Sequence, residues 1–145
     1  MKRHQALQPL SRDHHVALVA AQRLRRAGAD DADDARAVFL EFWNKHGAHH
    51  FRVEEDVLLP AFAAYGDPAD ERIVQMLVQH VRIRAATAAL AAGDADLEEM
   101  HALGTALEQH VRLEEREVFP LIEATLPEQA AERLVDAVLG AETRS

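Results

Sequence analysis

The chain has 145 residues, of which 48% are hydrophobic and 28% charged, a balance that fits one globular domain able to bury a core. Its formal net charge of −9 argues against nucleic acid and anionic membrane surfaces as partners. Cysteine is absent, which excludes disulfides, thiolate ligands and a thiol nucleophile, so any metal must be held by nitrogen and oxygen. The N-terminal segment has no apolar signal-like region, and no window approaches the ~20 apolar residues of a membrane span, so the cytoplasm is the expected location.

Taken in order, residues 1–9 read as a polar leader broken by Pro9, with Ser11 as the N-cap of a first helix running to about Ala27 and stopped by Gly28. Val16, Leu18, Val19, Ala21 and Leu24 recur along it at helical spacing. A second helix should span about Ala32 to Tyr65, with Gly47 tolerated inside it at ~1 kcal/mol relative to Ala and Pro60 bending its end. Asp67 and Pro68 form a cap signature for a third helix that carries Ile73, Val74, Leu77, His80, Val81, Ile83 and Leu90 as far as Gly93. A fourth follows the Asp94 cap and runs to about Thr125, and Pro127 opens a short fifth segment closed by Gly140. No stretch alternates like a strand. The expectation is all-α: an up-down-up-down four-helix bundle over about 11–125, with a C-terminal helix over about 127–139, in a single domain of residues 1–145.

One eleven-residue stretch occurs twice. HFRVEEDVLLP (His50 to Pro60) and HVRLEEREVFP (His110 to Pro120) lie sixty residues apart and share His, Arg, both Glu and Pro. Residues four apart share a helix face, so His50 with Glu54, and His110 with Glu114, each point two ligand-type groups in one direction. A single such pair is commonly a solvated ion pair. Two copies set among apolar residues are not, because buried Glu and His are costly unless paired or bound to metal. Each copy is preceded by a helix with its own His: His14 to Leu24 and His80 to Leu90 have the same ten-residue spacing. His14, His50, Glu54, His80, His110 and Glu114 can therefore converge. Six donors exceed the needs of one tetrahedral zinc and suit two first-row ions, and imidazole with carboxylate suits iron, manganese or zinc better than calcium or magnesium.

With these residues in place, the sequence resembles the hemerythrin-like family, the HHE cation-binding domain. The resemblance covers about Ser11 to Thr125 and rests on His14, His80 and the two H-x-x-x-E-E stretches. It implies a non-haem di-iron centre with an oxo or hydroxo bridge, able to meet oxygen, nitric oxide or peroxide. The chain departs from the oxygen carriers of invertebrates, which place two His four apart on the third helix; the residues at that spacing from His80 are Met76 and Arg84. They also use an Asp five residues after the last His, where this chain has Glu114 four after His110. The pattern is closer to bacterial relatives with four His and two Glu. The implied role is sensing, storing or carrying oxygen, nitric oxide or iron. A di-iron oxidase or peroxidase, and repair of iron-sulfur centres, are the alternatives, the latter ranked lower because the extra cysteine-bearing N-terminal domain of some longer relatives is missing; a structural bundle with a pH-sensitive His interface stands behind them.

Several residues need weighing. His14 is preferred to its neighbour His15 because its register matches His80. His46, one turn before His50, is either a fifth nitrogen donor or a residue one layer away. Glu55 and Glu115 rotate past the ligand face and read as solvated carboxylates or acceptors behind the ligands, so Glu55→Ala should spare the centre where Glu54→Ala and Glu114→Ala weaken it. His49 and His101 read as surface residues, and Met76, Phe39, Phe42 and Trp43 as packing.

Overall fold

The computed structural model describes residues 2–143. Positions 1, 144 and 145 of the expected domain lie outside the described residues. The chain folds into five helices: α1 (Gln8–Arg25), α2 (residues 32–63), α3 (Glu71–Ala92), α4 (residues 97–125) and α5 (Glu128–Thr143), with no strand among the described residues.

Helix α2 is continuous but not uniform. Ala32–Phe42, Ala48–Val53 and Leu59–Ala63 are α-helical, whereas Trp43–Gly47 and Glu54–Leu58 are π turns. Helix α4 repeats the second of these, with Glu114–Val118 as a π turn between Leu97–Leu113 and Phe119–Thr125. The cause lies in the shared proline. Pro60 and Pro120 have no N–H to donate, and their rings crowd the carbonyls four residues back, those of Asp56 and Arg116. The helix takes up the misfit by widening one turn: Leu59 N–H donates to the Glu54 carbonyl and Phe119 N–H to that of Glu114. The expected bend at Pro60 is thus a π turn that begins on Glu54, and the one at Pro120 begins on Glu114.

Gly47 closes the remaining π turn. A Cβ there would lie 2.7 Å from the Trp43 ring and 3.0 Å from Phe42, so glycine is required by packing and not merely tolerated. Gly93, at φ +81°, ends α3 in the left-handed region, with Asp94 N–H donating to the Ala89 carbonyl.

Three helix starts differ from the sequence reading. Helix α1 begins at Gln8, with Pro9 inside its first turn, and Ser11 does not cap it. The leader is an anchor, with Ala6 and Leu7 buried and Arg3 bonded to Glu123. Asp70, not Asp67, caps α3 through Arg72 N–H, and Asp96, not Asp94, caps α4 in a reciprocal arrangement with Glu99. Helix α5 continues through Gly140 to Thr143. Val16, Val19, Val74 and Val81 face outward, because the inward stripes of α1 and α3 are carried by Leu10, Ala17, Ala21 and Leu24, and by Ile73, Met76, Ile83 and Leu90.

Two apolar clusters make the core. One gathers Leu10, Val53, Leu58, Phe62, Ile73, Met76, Leu113, Val118 and Phe119, closed by Leu134 and Val138 of α5. The other gathers Ala17, Leu24, Phe39, Phe51, Ile83, Leu90, Leu103, Leu107 and Val111. Along α1 the first cluster precedes His14 and the second follows it, and α3 repeats this order around His80. The buried polar residues therefore sit between the two clusters.

Candidate metal centre

All six residues expected at the centre converge. His14, His50, Glu54, His80, His110 and Glu114 are each at most 5% exposed, and they supply all but one of the chain's buried polar or charged residues among those described. Their donor atoms form two quartets: His14, His50, Glu54 and Glu114, and Glu54, His80, His110 and Glu114, each within 4.8 Å. The carboxylates belong to both. Glu54 lies 3.2 Å from His50 Nε2 through one oxygen and 3.0 Å from His80 Nε2 through the other. Glu114 lies 2.8 Å from His14 Nε2 through Oε1 and 2.9 Å from His110 Nε2 through Oε2. Every imidazole thus turns Nε2 toward the shared carboxylates.

Every Nδ1 faces outward onto a polar oxygen. His14 meets Glu115 Oε2 at 2.6 Å, His80 meets Glu55 Oε2 at 2.6 Å, His50 meets Asp13 Oδ2 at 3.0 Å and His110 meets Gln79 Oε1 at 2.7 Å. These bonds fix which ring nitrogen points inward and add to the basicity of Nε2. Of the two readings of Glu55 and Glu115, the structure selects acceptors behind the ligands: each is partly exposed and reaches the flank of a histidine on another helix. Ser11 donates to Glu115, and Arg3 and Arg84 hold Glu115 and Glu55. The same two arginines lie 5.6 Å over the rings of Phe119 and Phe51, which stack on His14 and His80. Arginine, phenylalanine and histidine form a layered clamp at His14 and another at His80, each joining the two halves.

Asp13, Gln79, Arg3 and Arg84 were not read as functional from the sequence. A signal for two of them was present, since Asp13 and Gln79 immediately precede His14 and His80. The remaining candidates lie elsewhere. His15 and His46 are exposed, the latter on the π turn Trp43–Gly47. His49 Nε2 donates to the Ala141 carbonyl and His101 Nε2 to that of Ala27, so both tie helices together and are not simple surface residues. Met76 is fully buried in the first apolar cluster.

The electrostatics follow from burying two carboxylates among four imidazoles. Burial lowers the pKa of His14 and His80, but bonds to Glu114 and Glu115, and to Glu114 and Glu54, override it and raise them to about 9 and about 10. His50 is driven well up against the same burial by Glu54 and Asp13. Glu114 is driven well down against its burial by His110 and His14. Glu115 falls to about 2, burial being outweighed by His14, Ser11 and Arg3. Glu114 and Glu115 are thus held as anions and call for positive charge beside them.

A divalent cation meets that demand. His50 Nε2, His110 Nε2, Glu54 Oε2 and Glu114 Oε2 are buried without a hydrogen-bond partner, although the His50–Glu54 and His110–Glu114 contacts are 3.2 and 2.9 Å. Close but not hydrogen-bonded, each His–Glu pair leaves a nitrogen and an oxygen free to take an ion. The oxygen and nitrogen donor set fits a first-row cation.

A family model, that of the Hemerythrin HHE cation binding domain, matches residues 6–122. The match takes in α1 to α3, nearly all of α4 and all six converging residues, and the chain belongs to this family. No curated protein and no solved structure matched the sequence. Among the described residues no helix is long and apolar enough to cross a membrane.

Proposed function

We propose that the chain binds two iron ions in the buried cluster, with His14 and His50 completing one position, His80 and His110 the other, and Glu54 and Glu114 bridging both. The observation that carries this reading is that both carboxylates are shared, one oxygen to each histidine set. Helices α1 to α4 act as an up-down-up-down bundle around the pair. The alternation of the two apolar clusters supports this, since the first lies N-terminal to the ligands on α1 and α3 and mostly C-terminal to them on α2 and α4.

Iron held in this way supplies a redox-active pair able to bind oxygen or nitric oxide, and the function we assign is sensing, storing or carrying such a ligand in the cytoplasm. The chain's residues suit that task. Four imidazoles are locked by Glu115, Asp13, Glu55 and Gln79, so they need no reorganisation when an ion enters. Ala17, Phe42, Phe51, Leu107 and Val111 wall a small apolar pocket beside His14, His50 and His110. Its volume of about 10 Å³ is at the lower limit for a single water and far too small for an organic substrate.

The test is spectroscopic. Protein loaded anaerobically with two equivalents of ferrous ion should develop a charge-transfer band on exposure to oxygen or nitric oxide, and Glu54→Ala should abolish it. Sustained turnover of peroxide above that of free iron would favour an enzyme instead.

A further inference from the structure

The repeat that relates the two halves changes charge at one position that touches the ligating histidines. Asp13 and Gln79 occupy equivalent places, each one residue before its helix's histidine, and each accepts from a histidine Nδ1 on the next helix of its own half. One is an anion and the other a neutral amide. The remaining outer partners carry the same charge: Glu115 on His14 and Glu55 on His80 are both carboxylates, each paired with an arginine, Arg3 or Arg84, although Ser11 donates to Glu115 alone. The His14/His50 quartet is therefore backed by two carboxylates, and the His80/His110 quartet by one. Glu142 of α5 also places an oxygen within 4.8 Å of donor atoms of Asp13 and His50, but burial and Asp13 raise its pKa to about 7, so the contrast rests on Asp13. The family match ends at residue 122, before α5, and the second quartet has no such neighbour among the described clusters.

A full negative charge accepts the Nδ1 proton more strongly than an amide oxygen does, and the imidazole becomes a better donor at Nε2. The same charge attracts a cation directly across the ring. We propose, on the two-cation reading above, that the two positions are unequal: the His14/His50 position takes the first ion, the His80/His110 position the second, with Asp13 and Gln79 as the positioning residues that set the difference.

The full chain, stripped of metal, is titrated with cobalt(II), followed by calorimetry and the visible ligand-field band. The wild type should bind two equivalents in two resolved steps. Asp13→Asn should weaken the first step by ~10-fold and leave the second, while Gln79→Glu should tighten the second by ~10-fold and leave the first. Both substitutions keep an acceptor for Nδ1–H, and a purely structural role would not tighten either step. Two cobalt ions with neither step moved, or Asp13→Asn acting on the second step alone, overturn this inference and leave the two-cation reading standing. A wild type that takes up fewer than two overturns both.

Discussion

Glu115 and Glu55 show what a single side chain contributes from outside the ligand set. Each fixes an imidazole through Nδ1 and is itself held by arginine, so removing either leaves a histidine free to turn. Glu55→Ala and Glu115→Ala should each weaken cobalt or ferrous binding by ~10- to 100-fold. Glu54→Ala and Glu114→Ala remove a donor shared by both quartets and should cost more, with loss of the second equivalent. Isothermal titration of the four variants checks the ranking, and equal effects from all four would contradict it. The six converging residues were legible in the sequence because the repeat doubled an otherwise ordinary His-x-x-x-Glu. Of the outer partners, Glu55 and Glu115 were legible only as one of two alternatives and Asp13 and Gln79 not at all, since a helix's own periodicity says nothing of what a neighbouring helix presents. Glu55 is off the inward face of α2 and still reaches His80.

At the scale of the element, α4 packs closely on α1 at Gly104. A Cβ there would lie 2.6 Å from the Ala21 carbonyl oxygen and 2.9 Å from the Arg25 nitrogen, both backbone atoms of α1 that cannot yield without moving the helix. Gly104→Ala should cost ~1–3 kcal/mol by overpacking, against a propensity gain of about 1 kcal/mol, and thermal unfolding should begin earlier. Asp96→Ala should cost ~1 kcal/mol by removing the α4 cap, measurable as a lower denaturant midpoint with unchanged slope. Helix identity and order were readable from apolar spacing. Helix ends were not, because Asp67, Asp70, Asp94 and Asp96 are all competent caps and only the fold selects Asp70 and Asp96. The π turns were hidden for a related reason: proline announces a misfit, but whether the helix bends or widens is settled by packing around Glu54 and Glu114.

For the molecule as a whole, a charged layer divides two apolar clusters, and bound cations should tie the helices together across it. Stripping the metal with a chelator should lower the melting temperature by roughly 5–10 °C, the equivalent of ~3 kcal/mol for a site held at about a hundred times its dissociation constant. The all-helical class and the family were legible over most of the chain, since two motifs and two spaced histidines marked four helices at once. The role of α5 was not, because nothing in Glu128–Thr143 signals that Glu142 would reach the Asp13–His50 pair. The most direct test of the central claim is metal content by elemental mass spectrometry on untagged, iron-reconstituted protein, with its visible spectrum recorded before and after reduction and air exposure. Two irons per chain with an oxygen-sensitive band is the predicted result; one metal per chain, or none, would contradict it.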